Sequence, residues 1–351
     1  MDFEESDGKQ LSISPRNLLR KTLKEGEESG YKALVGFEYE WFNYLETPQS
    51  CKEKNYVKLT PLTPGMFGYS LIRAGQNNDF FKAITTLLPQ YGIPIEGLHT
   101  ETGPGVLEAA IVYSDALEGA DRASLFKLAI KDIAFKFGIL PTFMAKVSEK
   151  LPGCGGHMHV NLIDSVHNNN LFIDKNNEMT PLFEHFLAGQ LYCLPHILPM
   201  YAPTINSYKR LVTGYWAPTK PTWAIENRTS SFRVIKGGKA TRIEVRTPGA
   251  DANPYLALSA SLASGLYGIK HKLPLPPAVN GNAYDDASQL KLDTLPRNLG
   301  DASTMMKNSQ ISRALFGDDF VDHFTSTRDW EWRKYQNAVT DWETARYLEI
   351  I

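Results

Sequence analysis

Cysteine is scarce. The 351 residues hold three, Cys51, Cys154 and Cys193, far apart and with no CxxC pair. That spacing argues against a disulfide framework and against a structural zinc site. An excess of charge of one sign is also missing: 37 Lys and Arg stand against 39 Asp and Glu, a formal net charge of −2. Electrostatics therefore offers no case for nucleic acid or for an acidic membrane surface. No apolar run reaches bilayer-spanning length. The N-terminus, Met1-Asp-Phe-Glu-Glu-Ser-Asp, lacks the basic-then-apolar pattern of a secretory signal. Repeats and low-complexity tracts are absent, and neither Walker A nor GxGxxG occurs. These absences lead to the expectation of a cytoplasmic protein with no nucleic-acid and no membrane partner.

What is present is a core. Hydrophobic residues make up 42% and charged residues 22%, the balance of a globular protein of one large or two ordinary domains. Residues 1–13 are polar and expected to fray. Helices are expected over Arg16–Gly30, Asp79–Tyr91, Asp115–Gly138 (apolar stripe Ala120, Leu125, Leu128, Ala129, Ile133), Leu182–Tyr201 until Pro195 and Pro199 disturb it, and Asn253–Lys270. Strands are expected around residues 33–44, 92–101, 106–112, 142–147, 157–162 and 241–247, with loops over 46–68 and 271–300.

Three stretches share one beat: Glu38-Tyr-Glu40, His157-Met-His159 and Arg242-Ile-Glu244-Val-Arg246. On a strand, residues i and i+2 share a face. Side by side, such strands would gather three carboxylates, two imidazoles and two guanidiniums. Glu101 and Glu108 flank a Gly-Pro-Gly turn that can bring them to the same place. Each stretch alone has an ordinary reading beside the functional one. Glu38 and Glu40 suit a solvated strand face. His157 and His159 suit a satisfied core as well as a metal. The Arg- and aromatic-rich segment 202–240 suits a surface loop as well as a working one. Together, five glutamates and a histidine could supply two neighbouring sites for magnesium or manganese, and arginines could steady a phosphoryl group. The residues alone thus suggest metal-dependent phosphoryl transfer.

The order of the motifs resembles the catalytic domain of the glutamine synthetase family. It is carried by Gly36-Phe-Glu38-Tyr-Glu40, His99-Thr-Glu101-Thr-Gly-Pro-Gly-Val-Leu-Glu108, Gly153-Cys-Gly-Gly-His157-Met-His159, Asn206-Ser-Tyr-Lys-Arg210-Leu-Val-Thr-Gly-Tyr, Asn227-Arg228 through Arg233, and Arg242-Ile-Glu-Val-Arg246 followed by Asn253-Pro-Tyr. The resemblance covers residues 14–351. It implies an α/β (α+β) fold: a curved, mainly antiparallel sheet flanked by helices, akin to guanido kinases, with the site on the concave face.

By resemblance, Glu40, Glu101 and Glu108 would hold the ion on the glutamate side, and Glu38, His157 and Glu244 the ion on the nucleotide side. Two or more Mg2+ or Mn2+ ions, with ATP as co-substrate, are implied. Arg210 would grip the substrate's α-carboxylate, and Gly153 and His159 would line its pocket. Arg246 would lie beside the γ-carboxylate. Arg228 and Arg233 would contact phosphates, and Arg242 and Asn161 would lie near the nucleotide. The implied reaction makes a γ-glutamyl amide from glutamate and an amine through γ-glutamyl phosphate, in a ring-shaped homo-oligomer.

The chain departs from the family at several points. Ammonia-using members carry a flap glutamate after the Arg-Leu-Val-Pro-Gly-Tyr run; here Arg210-Leu-Val-Thr-Gly-Tyr is followed by Trp216. An indole cannot accept a proton, but it can pack against an organic amine or stack on a cation. That points to γ-glutamyl-amine ligases resembling γ-glutamylpolyamine synthetases. Lys150-Leu-Pro152-Gly153 stands where the family has Lys-Pro and Asn-Gly pairs. Because the resemblance starts at about residue 14, the chain is expected to lack the family's N-terminal β-grasp domain. A competing reading is accordingly a weak or inactive protein of this fold with a binding role.

Overall fold

In a computed structural model of the chain, residues 2–285 and 294–351 are described. Residues 2–13, expected to fray, are tied by side-chain contacts to the helix that follows. Asp2 pairs with Arg16 and with Arg20 (2.9 Å), and Asn17 Nδ2 donates to the carbonyls of Phe3 and Leu11. Helix α1 (Pro15–Glu28) starts with proline in its first turn and stops before Gly30, whose φ of 84° is open to glycine at little cost.

Strand β1 (Tyr31–Tyr44) is the long central member of a nine-stranded sheet. Helices α2 (Pro48–Glu53), α3 (Leu71–Gln76) and α4 (Asn78–Gln90) follow. The loop expected over 46–68 thus contains a short helix, started by a reciprocal Thr47–Ser50 capping box. β2 (Ile95–Thr100), β3 (Val106–Ile111) and β4 (Ser114–Asp115) lead into α5 (Ala116–Phe135). Next come β5 (Leu140–Thr142), β6 (Gly156–Asp164), α6 (Pro181–Tyr201), α7 (Ser207–Arg210), β7 (Trp223–Ile225), β8 (Phe232–Ile235), β9 (Arg242–Val245) and α8 (Pro254–His271). Helices Leu299–Asn308, Gln310–Phe316, Asp318–Gln336 and Asp341–Tyr347 end the chain. The loop expected over 271–300 lies partly outside the described residues, at 286–293.

The strand order is β2-β3-β1-β6-β9-β8-β7, with β4 and β5 also on β1. All pairs are antiparallel except β7–β8. Alternation along β1 sorts its two faces. Phe37, Tyr39 and Trp41 are buried, and the rings of Tyr39 and Trp41 each lie 5.7 Å from that of Phe126 on α5. Glu38 and Glu40 therefore take the other face. No helix among the described residues is long and apolar enough to cross a membrane.

Three local expectations need correction. The buried stripe of α5 runs through Ala116, Ala120, Ala123, Phe126, Ile130 and Ile133; Leu125 and Leu128 are 49% and 66% exposed. Phe126 fixes the rotation by filling the space under Tyr39 and Trp41. α6 continues through Pro195 and Pro199. Each proline removes one hydrogen bond of the ladder, but much of this helix is buried, so packing outweighs the loss. Residues 143–147 are not strand: the Ala145 carbonyl accepts from Cys154 N–H, and Lys146 is tied to Asn206.

Candidate active site

Residues that face one another across an antiparallel ladder present their side chains on the same face. The register places Glu40 opposite Glu108, and Glu108 opposite His99. It places Glu38 opposite His157, His159 opposite Glu244, and Glu244 opposite Arg233. The three alternating stretches thus share one sheet face, on β1, β6 and β9, as their alternation suggested.

Two clusters form there. In the central one, His157 Nδ1 is 3.1 Å from Glu38 Oε1 and 3.5 Å from Glu244 Oε1. His159 Nε2 is 3.5 Å from Glu38 Oε2. Glu38, His157 and Glu244 can each offer a ligand atom within 4.8 Å of the others. Two arginines clamp Glu244: Arg246 Nη1 donates to Oε1, and Arg233 Nη1 donates to Oε2 at 3.0 Å. Burial works to raise the Glu244 carboxyl, but Arg246, His157 and His159 outweigh it and bring it down to about 2. Burial works on Glu38 in the same way, and hydrogen bonds from His157 and His159 keep it below the usual carboxylate range. His157 is pushed down by burial and then by Arg246. A neutral imidazole is the form that ligates metal.

The second cluster lies on β2 and β3. His99 Nε2 is 3.1 Å from Glu108 Oε1, and His99 Nδ1 is 3.9 Å from Glu101 Oε2. The Tyr69 ring stacks on His99, with centroids 4.5 Å apart. Glu101 Oε1 accepts from Thr102 N–H at 2.7 Å, which anchors it at the turn. Burial pushes Glu108 up to about 7; the hydrogen bond from His99 opposes this, and the neighbouring Glu38 and Glu40 reinforce it. His99, Glu101 and Glu108 make the tight group here. Glu40 lies beside Glu108, but its Oε2 accepts from Gly155 N–H at 2.6 Å. The sequence places His99 two residues before Glu101, but only the ladder register sets it opposite Glu108.

The arginines and the residues expected around the substrate are placed as follows. Arg210 is buried; it donates to the carbonyls of Thr247 (2.9 Å) and Arg246 (3.1 Å), and Nη2 is 3.5 Å from His157 Nε2. Arg246 Nε donates to the Arg228 carbonyl at 2.9 Å, and Nη2 to the Trp216 carbonyl at 3.4 Å. Arg233 also reaches Glu226 Oε2 at 2.7 Å, a partner the sequence had not suggested. Arg228 is exposed. Arg242 Nε donates to His159 Nδ1 at 3.1 Å. Asn161 donates to the Thr241 carbonyl at 2.7 Å, a strand-to-strand tie. Trp216 is 56% exposed, with a φ of 53°. Gly153 packs where a Cβ would meet the Ala145 carbonyl at 2.5 Å and Arg210 Cγ at 2.7 Å.

The donors fit divalent ions. Both clusters are rich in carboxylate and carry one imidazole each, a set suited to magnesium or manganese. Burial, and then the neighbouring Glu38 and Glu40, raise Glu108, and a bound cation would offset both.

Residues 12–347 match the family described as glutamine synthetase, catalytic domain. The chain is 50% identical over 354 residues to type-1 glutamine synthetase 2 of Dictyostelium discoideum, spanning 100% of this chain and 68% of that protein. It is 36% identical over 353 residues to glutamate–isopropylamine ligase of a Pseudomonas species (100% and 76%). It is also 36% identical over 348 residues to gamma-glutamylethanolamide synthetase GlnA4 of Streptomyces coelicolor (99% and 74%). Among solved structures it is similar to GmaS with ADP, at a TM-score of 0.87 and 28% identity, over 97% of this chain and 79% of that one.

Proposed function

Because the chain belongs to the glutamine synthetase family, we propose that it is an ATP- and divalent-metal-dependent ligase that joins the γ-carboxylate of glutamate to an organic amine. The observation that carries this reading is the central cluster. Glu38, His157 and Glu244 converge on one point, with Arg233 and Arg246 fixed to Glu244 beside it.

A divalent ion held by Glu38, His157 and Glu244, and another by Glu101, Glu108 and His99 or Glu40, would neutralise phosphate oxygens. The chain's own groups do the positioning. Arg210 and Arg246, buried and braced against backbone carbonyls, are aimed at the acid. Arg233, held by Glu244 and Glu226, and the exposed Arg228 would contact the transferred phosphoryl group. A γ-carboxylate oxygen attacks the γ-phosphorus of ATP, and ADP leaves. The amine nitrogen then attacks the acyl carbon, phosphate leaves, and the nitrogen gives up a proton. The first step turns a poor leaving group into a good one. Fixed arginines supply charge stabilisation without reorganising during the reaction.

Trp216 directs the choice of amine. Its indole is exposed, its backbone carbonyl accepts from Arg246, and its segment has no carboxylate to hold ammonium. An apolar amine substituent gains from contact with the ring. Two similar proteins are named for isopropylamine and for an ethanolamide product. The test is phosphate release and amide formation with ATP, Mg2+ and glutamate across ammonia, methylamine, isopropylamine, ethanolamine, polyamines and aromatic amines. Faster amide formation with an organic amine than with ammonia is expected. No ADP with any amine, from protein that binds Mg2+, would sink the ligase reading.

A further inference from the structure

Lys146 is a buried charge. It is 5% exposed, and its Nζ has no hydrogen-bond partner among the described residues. Its recorded contact is with an aromatic face: Nζ lies 3.7 Å from the centroid of the Tyr215 ring. A cation–π contact offsets part of the cost of burying an ammonium but leaves its N–H donors without acceptors. Native interiors rarely keep such a group without a use for it.

The backbone around Lys146 ties it to Arg210. Lys146 N–H donates to Asn206 Oδ1 at 2.8 Å, and Asn206 Nδ2 donates back to the Lys146 carbonyl at 2.9 Å. Asn206 is the residue before α7, whose last residue is Arg210. From the other side, Gly153 fits between the Ala145 carbonyl and the Arg210 side chain with no room for a Cβ. Residues 145–146 and Arg210 are thus held about one glycine apart. Arg210 is itself buried and donates to backbone carbonyls, with no carboxylate at ion-pair distance among the described residues. Burial and then Arg210 push the Lys146 ammonium down from its ordinary value, as expected of a buried cation near another.

We propose that Lys146 is a substrate-binding residue. Its ammonium and the Arg210 guanidinium form a two-cation receptor for a carboxylate of the acid substrate, with Tyr215 as the cover that a bound carboxylate displaces. The identity of that acid, glutamate, rests on the ligase reading. The cover lies next to Trp216 in the chain, so filling the acid site would move the segment that meets the amine.

Calorimetric titration of the full chain with L-glutamate, without ATP, tests this. Lys146→Met should weaken binding about tenfold or more, the scale of losing a charge-assisted hydrogen bond. Lys146→Arg should keep it within a few-fold. Tyr215→Ala, which removes the cover and spares the ammonium, should leave binding equal or tighter. Unchanged affinity in Lys146→Met, or no binding by the wild type, overturns the proposal. So does a loss in Tyr215→Ala as large as that in Lys146→Met, because the pair would then act only by anchoring the segment. ATP-dependent phosphate release, measured in parallel, separates the two readings. Lys146-dependent glutamate binding without turnover sinks the ligase reading alone. Turnover with an unchanged KM for glutamate in Lys146→Met sinks this inference alone.

Discussion

The two carboxylate clusters share a sheet face but are built differently. The central one spans β1, β6 and β9, and the arginines that clamp Glu244 are already in place. Its carboxylates are held ionised before any ion arrives. The other lies toward the sheet edge on β2 and β3, where Glu101 hangs from a turn and Glu108 shares a hydrogen bond with His99. There burial and like charge win, and Glu108 rises to about 7. Strand neighbours with cationic partners would pre-form one metal site, whereas strand neighbours without arginine partners would leave a site that has to shed protons to bind an ion.

The largest expected effect breaks the central cluster. Glu244→Ala removes a ligand and leaves Arg233 and Arg246 facing each other with no anion. ATP-dependent phosphate release should fall below detection, and the melting temperature should drop as well, since orphaning a buried charge costs about 3–5 kcal/mol. An unchanged rate would show that the assignment of the cluster is wrong.

Next in size is the proton count of the edge cluster. Glu108 is raised in the folded chain, so its neutral form favours folding below the ordinary carboxylate value, and that benefit is lost as pH rises through about 7. His99 is also raised, through its hydrogen bond to Glu108, and has the same sign. Adding Mg2+ in weakly buffered solution should therefore release protons at pH 6 and far fewer at pH 8.5. Glu108→Gln should abolish most of the release, while Glu38→Gln, which removes only a secondary cause of the rise, should reduce it less. Equal release at both pH values would erase the contrast between the clusters.

A smaller effect concerns the amine. Trp216→Glu should raise the ratio of kcat/KM for ammonia over that for an organic amine by about tenfold, a difference of one favourable contact. A ratio that does not move would assign Trp216 to packing. The smallest effect on turnover belongs to the other face of the sheet, where the readout is stability. Phe126→Ala should cost about 3–5 kcal/mol in denaturant unfolding, and Leu125→Ser less than about 0.5 kcal/mol. Equal costs would contradict the rotation of α5.

Much of this was legible in the chain, for a physical reason. Period-two alternation states which side chains share a face, so Glu38, Glu40, His157, His159, Glu244 and Arg246 could be grouped without coordinates. Alternation says nothing about which strands are neighbours. The pairing of His99 with Glu108, and of Arg233 with Glu244, is a property of register and came only with the ladder. Glu226 and Lys146 were passed over because their chemistry depends on long-range approach: one reaches Arg233, and the other is drawn toward Arg210 through Asn206. The rotation of α5 was misjudged because Leu125 and Leu128 fit a helical stripe, whereas the space under Tyr39 and Trp41 selects Phe126.

The central claim is that phosphoryl transfer to a carboxylate precedes amide formation. With glutamate carrying 18O in its γ-carboxylate, and an amine the protein accepts, the phosphate released should carry one 18O per turnover. Amide formed with unlabelled phosphate would contradict it.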